Sequence, residues 1–182
     1  MMRNSHGIPI IGVVGWKNSG KTTLTVRLIE CFRARGLRVA SVKHAHHKFH
    51  IDEGDQDSAR HRKAGASEVA IISPYRWAMI SEAPSDAARE PDFSDVIDWF
   101  TDADIIVVEG YKSQPIPKIE ARRDASVSRA PMAPGDPNVI AIAADRFDDG
   151  TETGLPQFNL DDAEAIAGFV ADRLGLATEH NS

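Results

Sequence analysis

Apolar residues along this chain keep two rhythms in turn, short unbroken runs and helical spacing. The run Ile8-Pro9-Ile10-Ile11-Gly12-Val13-Val14 reads as a strand buried on both faces. From Thr22 to Arg35, Leu24, Leu28, Ile29 and Phe32 recur at helical spacing and Gly36 supplies a stop. Leu37 to Val42 is a second strand, so the first third is a βαβ unit, with parallel pairing and a right-handed crossover. Lys43 to Asp57 is a long polar loop, followed by a short helix over Ser58 to Ala64, capped by Asp57 and ended by Gly65. Ser67 to Ser73 and Arg76 to Ser81 predict a hairpin around Pro74-Tyr75. After the Pro-rich loop from Ala83 to Pro91, the positions Phe93, Val96, Ile97, Trp99 and Phe100 predict a helix.

Asp104-Ile-Ile-Val-Val-Glu109-Gly110 reads as a central parallel strand ending in an acid. Lys118 to Arg122, with charge at alternate positions, predicts an edge strand, and Asp124 to Pro137 predicts a loop. Val139 to Ala144 is another apolar strand, followed by Asp145. Asp161 to Leu174, with Ala165, Ile166, Phe169, Val170 and Leu174 on one face, predicts a closing helix, and 176–182 a frayed tail. There is no internal repeat. The order of elements gives a three-layer α/β fold with a mostly parallel central sheet, read as one domain over 1–175, whose ligands lie at the C-terminal ends of the strands.

Composition narrows the classes. With 42% hydrophobic and 26% charged residues in 182, the chain can bury an ordinary globular core. A net charge of −6 argues against a general nucleic-acid binder. The single cysteine, Cys31, lies in the first helical pattern, which excludes a disulfide framework within the chain and reads as a buried small residue. No apolar run approaches the roughly 20 residues of a membrane span, and Met1 to Gly7 lacks the apolar region of a signal peptide, so the expected location is cytoplasmic.

The most informative stretch follows the first strand. Gly15-Trp16-Lys17-Asn18-Ser19-Gly20-Lys21-Thr22-Thr23 fits the phosphate-binding pattern G-x-x-x-x-G-K-[ST], with a strand before it and a helix after it. Successive inward N–H groups of such a loop meet the charge of a polyphosphate without using side chains. Gly20 permits close backbone approach, Lys21 reaches the terminal phosphates, Thr22 offers a hydroxyl to Mg²⁺, and the helix N-terminus favours the anion. The expected ligand is a nucleotide.

Glu109, at the end of its strand, lies on the same rim and can hold Mg²⁺ directly or through water, or position a water for attack. Lys21 and Glu109 are therefore the candidate catalytic residues, Thr22 and Glu109 the candidate metal ligands. Asp145 stands where a nucleotide-binding domain can read the base: one carboxylate accepts from both N1–H and N2–H of guanine, and adenine offers no matching donors. The string Ile142-Ala143-Ala144-Asp145 stands in place of Asn-Lys-x-Asp. His44, His46, His47 and His50 suit a metal by residue type, but no cysteine accompanies them and the spacing fits no familiar zinc module. Arg38, Lys43, Lys48, Arg60, Arg62 and Lys63 around them suit an anion instead, and Asp52, Asp55 or Asp57 could approach Mg²⁺.

Taken together, the phosphate loop, Lys43-His-Ala-His-His47, the run Ile51-Asp52-x-Gly54-x-x-Asp57-Ser58-x-Arg60-x-Arg62-x-Ala64-Gly65-Ala66, Val108-Glu109-Gly110-Tyr-Lys112 and Pro117-Lys118-Ile119-Glu120 resemble the MobB family, molybdopterin-guanine dinucleotide biosynthesis protein B. The motifs run in family order over about Ile8 to Asp145. The resemblance implies a P-loop NTPase fold similar to the SIMIBI group, GTP and Mg²⁺ as ligands, at most weak GTPase activity, and commonly a homodimer. It also implies action beside a MobA-type guanylyltransferase that joins molybdopterin to GMP, forming the guanine dinucleotide. Carried over by position, Gly15 to Thr23 hold the phosphates, Thr22 and Glu109 serve Mg²⁺, and the His44 to Asp57 loop with Lys112 and Lys118 lies near the site. The extra lysine that follows the first glycine in many SIMIBI loops is Trp16 here, with Lys17 next.

Three functions follow from these residues together with what the resemblance implies. The first is an accessory GTPase of molybdenum cofactor maturation, working by positioning and charge neutralisation, with Arg122 or Arg123 of a partner or dimer mate as candidate arginines. The second is a carrier of a pterin, molybdopterin or its guanine dinucleotide, switched by nucleotide. The third is a small-molecule kinase using ATP, with Glu109 or Asp55 as base. For the dimer, the strands near Ser67 to Ser81 are the candidate pairing edge.

Overall fold

The computed structural model describes residues 2–45, 57–82, 90–128, 130–147 and 153–176. The chain forms two compact units, Met1–His44 with Phe93–Ser182, and Ala45–Asp92. Of the polar loop expected after Lys43, residues 46–56 lie outside the described residues, and so do 83–89 of the Pro-rich loop and the tail from 177.

The larger unit is built on a six-stranded sheet whose strands all run parallel: β1 (Ile10–Val14), β2 (Val39–Lys43), β5 (Ile105–Glu109), β6 (Lys118–Arg122), β7 (Val139–Ala144) and β8 (Gln157–Asn159), in the order β2-β5-β1-β6-β7-β8. β1 and β5 are buried at every position, as unbroken apolar runs demand when both faces are covered. Alternate residues point to opposite faces. Ile11, Val13, Ile105, Val107 and Ile119 meet α1 (Lys21–Ala34) and α4 (Ala163–Leu174) through Leu24, Leu28, Phe32, Ile166 and Val170. On the other face Ile10, Ile106 and Val108 pack with Ile116 and with Phe93 and Ile97 of α3 (Phe93–Asp98). Asp162 caps α4 by accepting from the Ala165 N–H at 3.0 Å, and Gly175 ends it in the left-handed conformation.

The structure corrects the sequence reading at several places. β6 is an interior strand between β1 and β7, not an edge. Its charges suggested an edge because Lys118 and Glu120 are usually solvated, yet both are 1% exposed and each is partnered. The Lys118 ammonium donates to Asp136 Oδ2 at 2.5 Å and to the Lys112 carbonyl at 2.7 Å. Gly12 makes room for its stem, since a Cβ there would lie 3.0 Å from Lys118 Cγ. Glu120 accepts from the Met132 and Ala133 N–H groups at 2.8 and 2.9 Å and from Arg122 at 3.0 Å. β8, three residues long, escaped the pattern because so short a strand shows no periodicity. α3 stops at Asp98, leaving Trp99 exposed, and the loop after β6 contains a 3₁₀ turn at Ala133–Gly135.

The smaller unit holds α2 (Asp57–Lys63) and the antiparallel hairpin of β3 (Glu68–Ile72) and β4 (Trp77–Ser81). Asp57 is the first helical residue rather than the residue before the helix. Ala70 pairs with Met79 and Ile72 with Trp77, so these four share one face of the hairpin, and Ile72, Trp77 and Met79 on it are exposed.

Candidate functional site

The order of strands fixes where chemistry can occur. β1 lies between β5 and β6, so the loop after β1, the acid ending β5 and the residues ending β6 and β7 meet on one rim. The loop Gly15 to Gly20 is compact. Gly15 cannot be replaced within it, because a Cβ would lie 2.3 Å from Ser19 Oγ and 2.5 Å from the Ala121 carbonyl. Ser19 is buried, its N–H donates to the Trp16 carbonyl at 3.2 Å, and its hydroxyl has no partner among the described residues. Asn18 adopts a left-handed φ of 65°, which its short polar side chain tolerates. Gly20, the residue before α1, has no side chain to cap the helix, so among the described residues its first-turn N–H groups have no N-cap acceptor.

Lys21 Nζ donates to the Trp16 carbonyl at 2.6 Å, folded back over the loop. Burial pulls its pKa below 10.5, and the neighbouring Lys112 and Lys43 ammonium groups push the same way while Glu109 opposes. The Thr22 hydroxyl donates to Glu109 Oε1 at 2.7 Å, and Lys43 Nζ stands 3.4 Å from the same oxygen and 3.5 Å from Thr22 Oγ1. Thr22 and Glu109 are the oxygen donors a hard cation such as Mg²⁺ takes, already adjacent, and a third positive charge beside Lys21 and Lys112 stands with them. The candidate metal pair is thus brought together. Thr23 sits exposed in the first turn of α1.

The far side of the loop is fastened to the segment after β6. The Lys17 carbonyl accepts from the Val127 N–H at 3.0 Å and the Ser126 hydroxyl at 3.2 Å, and the Trp16 indole N–H donates to the Ala130 carbonyl at 2.7 Å. Trp16, Arg122, Arg123, Asp124, Asp145 and Phe147 line an open cleft of about 250 Å³ beside it. Asp145 is exposed there, and its two oxygens accept from the Asp124 N–H at 3.3 and 3.0 Å. Arg123 lies with its Cζ 3.6 Å from where a Gly20 Cβ would be, and with its Nη2 4.0 Å from Asp161 Oδ1. Arg122 pairs with Glu120. The cleft lies next to the phosphate loop and is lined by aromatic, acidic and basic side chains.

Other candidates fall elsewhere. Lys118 is used up as an internal brace. Lys112 does stand at the loop, its Nζ 3.9 Å above the Trp16 ring. His44 stacks on Tyr111 with ring centroids 4.3 Å apart, and its main-chain N–H donates to the Glu109 carbonyl at 2.9 Å. His46, His47, His50, Asp52 and Asp55 are outside the described residues, and among the described residues no group of three His, Cys, Asp or Glu side chains could hold a metal ion. Cys31 is buried as expected, its thiol pushed up to about 11 by burial and by Glu164. Sequence spacing missed the tether of Trp16 and Lys17 and the role of Glu120. These contacts span 12 to 114 residues and carry no local signal.

Comparison with known proteins identifies the family. A family model described as MobB, molybdopterin guanine dinucleotide synthesis protein B, matches residues 10–145. The chain is 34% identical over 165 residues to the molybdopterin-guanine dinucleotide biosynthesis adapter protein of Escherichia coli K12, covering 91% of this chain and 93% of that one. It is 37% identical over 139 residues to the protein of the same name from Haemophilus influenzae, with 76% of each chain covered. The crystal structure of Bacillus subtilis MobB superimposes with a TM-score of 0.69 at 29% identity, covering 92% of this chain and 98% of that one. The phosphate loop, Glu109 and Asp145 all lie within the matched segment, and the chain belongs to the MobB family.

Proposed function

We propose that this protein is a GTP-binding adapter in molybdopterin-guanine dinucleotide biosynthesis, acting beside a MobA-type guanylyltransferase and with at most weak GTPase activity of its own. The names of its relatives supply the pathway. The observation that carries the nucleotide reading is the 2.7 Å contact between Thr22 and Glu109 at the mouth of a loop whose lysine is folded back on the Trp16 carbonyl. On binding, Lys21 exchanges that carbonyl for a phosphate oxygen, and the N–H groups of the loop and the first turn of α1 meet the remaining charge. Thr22 and Glu109 would hold Mg²⁺, which when bound neutralises charge on the terminal phosphates. Asp145, with lone pairs beyond those that meet Asp124, accepts from the guanine N1–H and N2–H, and the cleft takes the ring.

Two features support an adapter rather than an efficient catalyst. Among the described residues Arg122 is tied to Glu120, and Arg123 has its Nη2 4.0 Å from Asp161 Oδ1. The hairpin's exposed Ile72, Trp77 and Met79 offer an apolar face and an open strand edge, which support a homodimer. A monomer by light scattering at micromolar concentration would remove the dimer. No helix of the described residues is long and apolar enough to cross a membrane, in keeping with work in the cytoplasm.

Calorimetric titration with GTP, then ATP, in Mg²⁺ tests the reading. GTP binding lost in Lys21→Ala, with selectivity over ATP lost in Asp145→Ala, is the expected result. Equal affinity for both nucleotides would overturn the guanine assignment and favour a kinase. A pterin retained by the purified protein without any partner would favour the carrier.

A further inference from the structure

The chain leaves β5 in an unusual way. Gly110 and Tyr111 are both left-handed, with φ of 95° and 51°, a conformation that glycine takes freely and that strains a tyrosine. The surroundings hold it in place. The Gly110 N–H donates to the Val13 carbonyl at 3.0 Å, and the Tyr111 ring is packed against His44 at 4.3 Å and Phe93 at 4.7 Å between centroids. One residue later the Lys112 carbonyl is gripped by the buried Lys118 ammonium, itself anchored on Asp136. Both sides of residue 112 are therefore fixed, and the fixed direction brings its side chain back over the phosphate loop.

There Lys112 Nζ sits 3.9 Å above the Trp16 ring, a cation–π perch. The perch is itself pinned, since the indole N–H donates to the Ala130 carbonyl at 2.7 Å. The carbonyl of the same tryptophan takes Lys21 at 2.6 Å. A single residue thus carries one ammonium on its ring and another on its main chain. The two are like charges, and after burial, the largest cause, the field of Lys112 also lowers the pKa of Lys21. Lys43 has Glu109 for a partner, whereas among the described residues no carboxylate pairs with Lys112. Like charges held together by this much scaffolding mark a place for a shared anion. The main chain of Lys112 comes from the Glu109 rim, where Thr22 and Glu109 mark the metal, and so the terminal phosphates, while the base cleft lies at the ends of β6 and β7.

We propose that Lys112 is a second phosphate-binding lysine supplied in cis, contacting the terminal phosphate together with Lys21 and thereby making the site prefer a nucleoside triphosphate over the diphosphate. It takes, from the end of β5, the charge that the loop position filled by Trp16 does not carry. The inference rests on the nucleotide reading above. Lys118 is a positioning residue for it, acting through the Lys112 carbonyl.

The test compares GTP and GDP affinities by calorimetry in Mg²⁺, at low and physiological salt, for the unmodified protein, Lys112→Met, Lys112→Arg and Trp16→Leu. Lys112 is surface-exposed, so the fold should tolerate its substitution, and circular dichroism checks that it does. The expected loss in Lys112→Met is roughly tenfold or more for GTP and less than about threefold for GDP, the scale of one charge-assisted hydrogen bond. Lys112→Arg retains the preference and Trp16→Leu reduces it. An unchanged ratio of GTP to GDP affinity in Lys112→Met overturns the assignment while leaving the nucleotide reading intact, as does an equal loss for both ligands. Failure of the unmodified protein to bind either nucleotide overturns both.

Discussion

Replacing Asp136 by Asn should be more damaging than replacing Lys118 by Met, although the two residues form one ion pair. Lys118 is 1% exposed, and its ammonium has two acceptors, Asp136 Oδ2 at 2.5 Å and the Lys112 carbonyl at 2.7 Å. In Asp136→Asn a full charge stays buried without its counter-ion, and the single amide oxygen cannot accept from both Lys118 and Asn138 while the NH2 group faces one of these donors, the situation in which breaking a pair costs about 3–5 kcal/mol. In Lys118→Met the charge that remains is on Asp136, whose side chain is 23% exposed and still accepts from the Asn138 N–H and Nδ2, each at 2.9 Å. That variant should lose about 1–3 kcal/mol, chiefly from the unmet Lys112 carbonyl, since the methionine stem refills the space above Gly12. Urea unfolding with an unchanged m-value measures both, and the double variant gives the coupling.

Acid adds a second readout. Burial alone would raise the Asp136 pKa, but Lys118 and Asn138 hold it below 3.8. A depressed folded pKa means stability that is present above 3.8 and is lost as pH falls through the folded value. Lys118→Met should therefore weaken the loss of stability in that window. Asp136→Asn within about 1 kcal/mol of the unmodified protein, or Lys118→Met the costlier of the two, would refute the account of β6 as a strand braced by a buried charge.

Glu109→Gln keeps the shape at Thr22 but removes the carboxylate, so the gain in nucleotide affinity on adding Mg²⁺ should largely vanish, read by titration with and without the metal. Gly15→Ala places a Cβ 2.3 Å from Ser19 Oγ and 2.5 Å from a main-chain oxygen; it should cost about 1–3 kcal/mol in thermal unfolding and abolish nucleotide binding. The Lys21 pKa is lowered in the free protein and a bound phosphate restores it, so nucleotide affinity should fall as pH rises through the free-state value, beginning below 10.5. Affinity independent of pH up to 10.5 would show that burial does not act on this lysine.

Much of this was legible because the decisive signals are local. The phosphate loop, the apolar runs of β1 and β5 and the helical spacing of α1 and α4 each fit within a few residues of chain. β6 was misjudged for a physical reason: Lys118-Ile-Glu-Ala-Arg122 alternates as a half-solvated strand does, and only partners at Asp136, Met132 and Ala133 make its polar positions buried ones. The pairing of Thr22 with Glu109 was inferable from the logic of the loop, but the third member, Lys43, comes from β2 and needed the register Lys43↔Glu109 to be placed. Asp145 was located by its position after β7, and what its spacing could not show is that Asp124 already uses both of its oxygens.

The rim is assembled by contributions that act on one another. Lys118 buries its charge on the lower part of β6 and so fixes the carbonyl of Lys112; Lys112 reaches Trp16; Trp16 receives Lys21 and is tied in turn to Ala130, whose segment lines the cleft with Asp145. An anion that draws Lys21 and Lys112 off Trp16 therefore loosens one contact to its main chain and one to the indole, between the phosphate loop and the cleft. Occupancy at the phosphates can in this way be felt at the 123–130 segment without movement of the sheet. An indole fluorescence change on GTP addition that is absent with inorganic phosphate at saturating concentration would place the coupling at the base instead, because phosphate alone can displace both lysines.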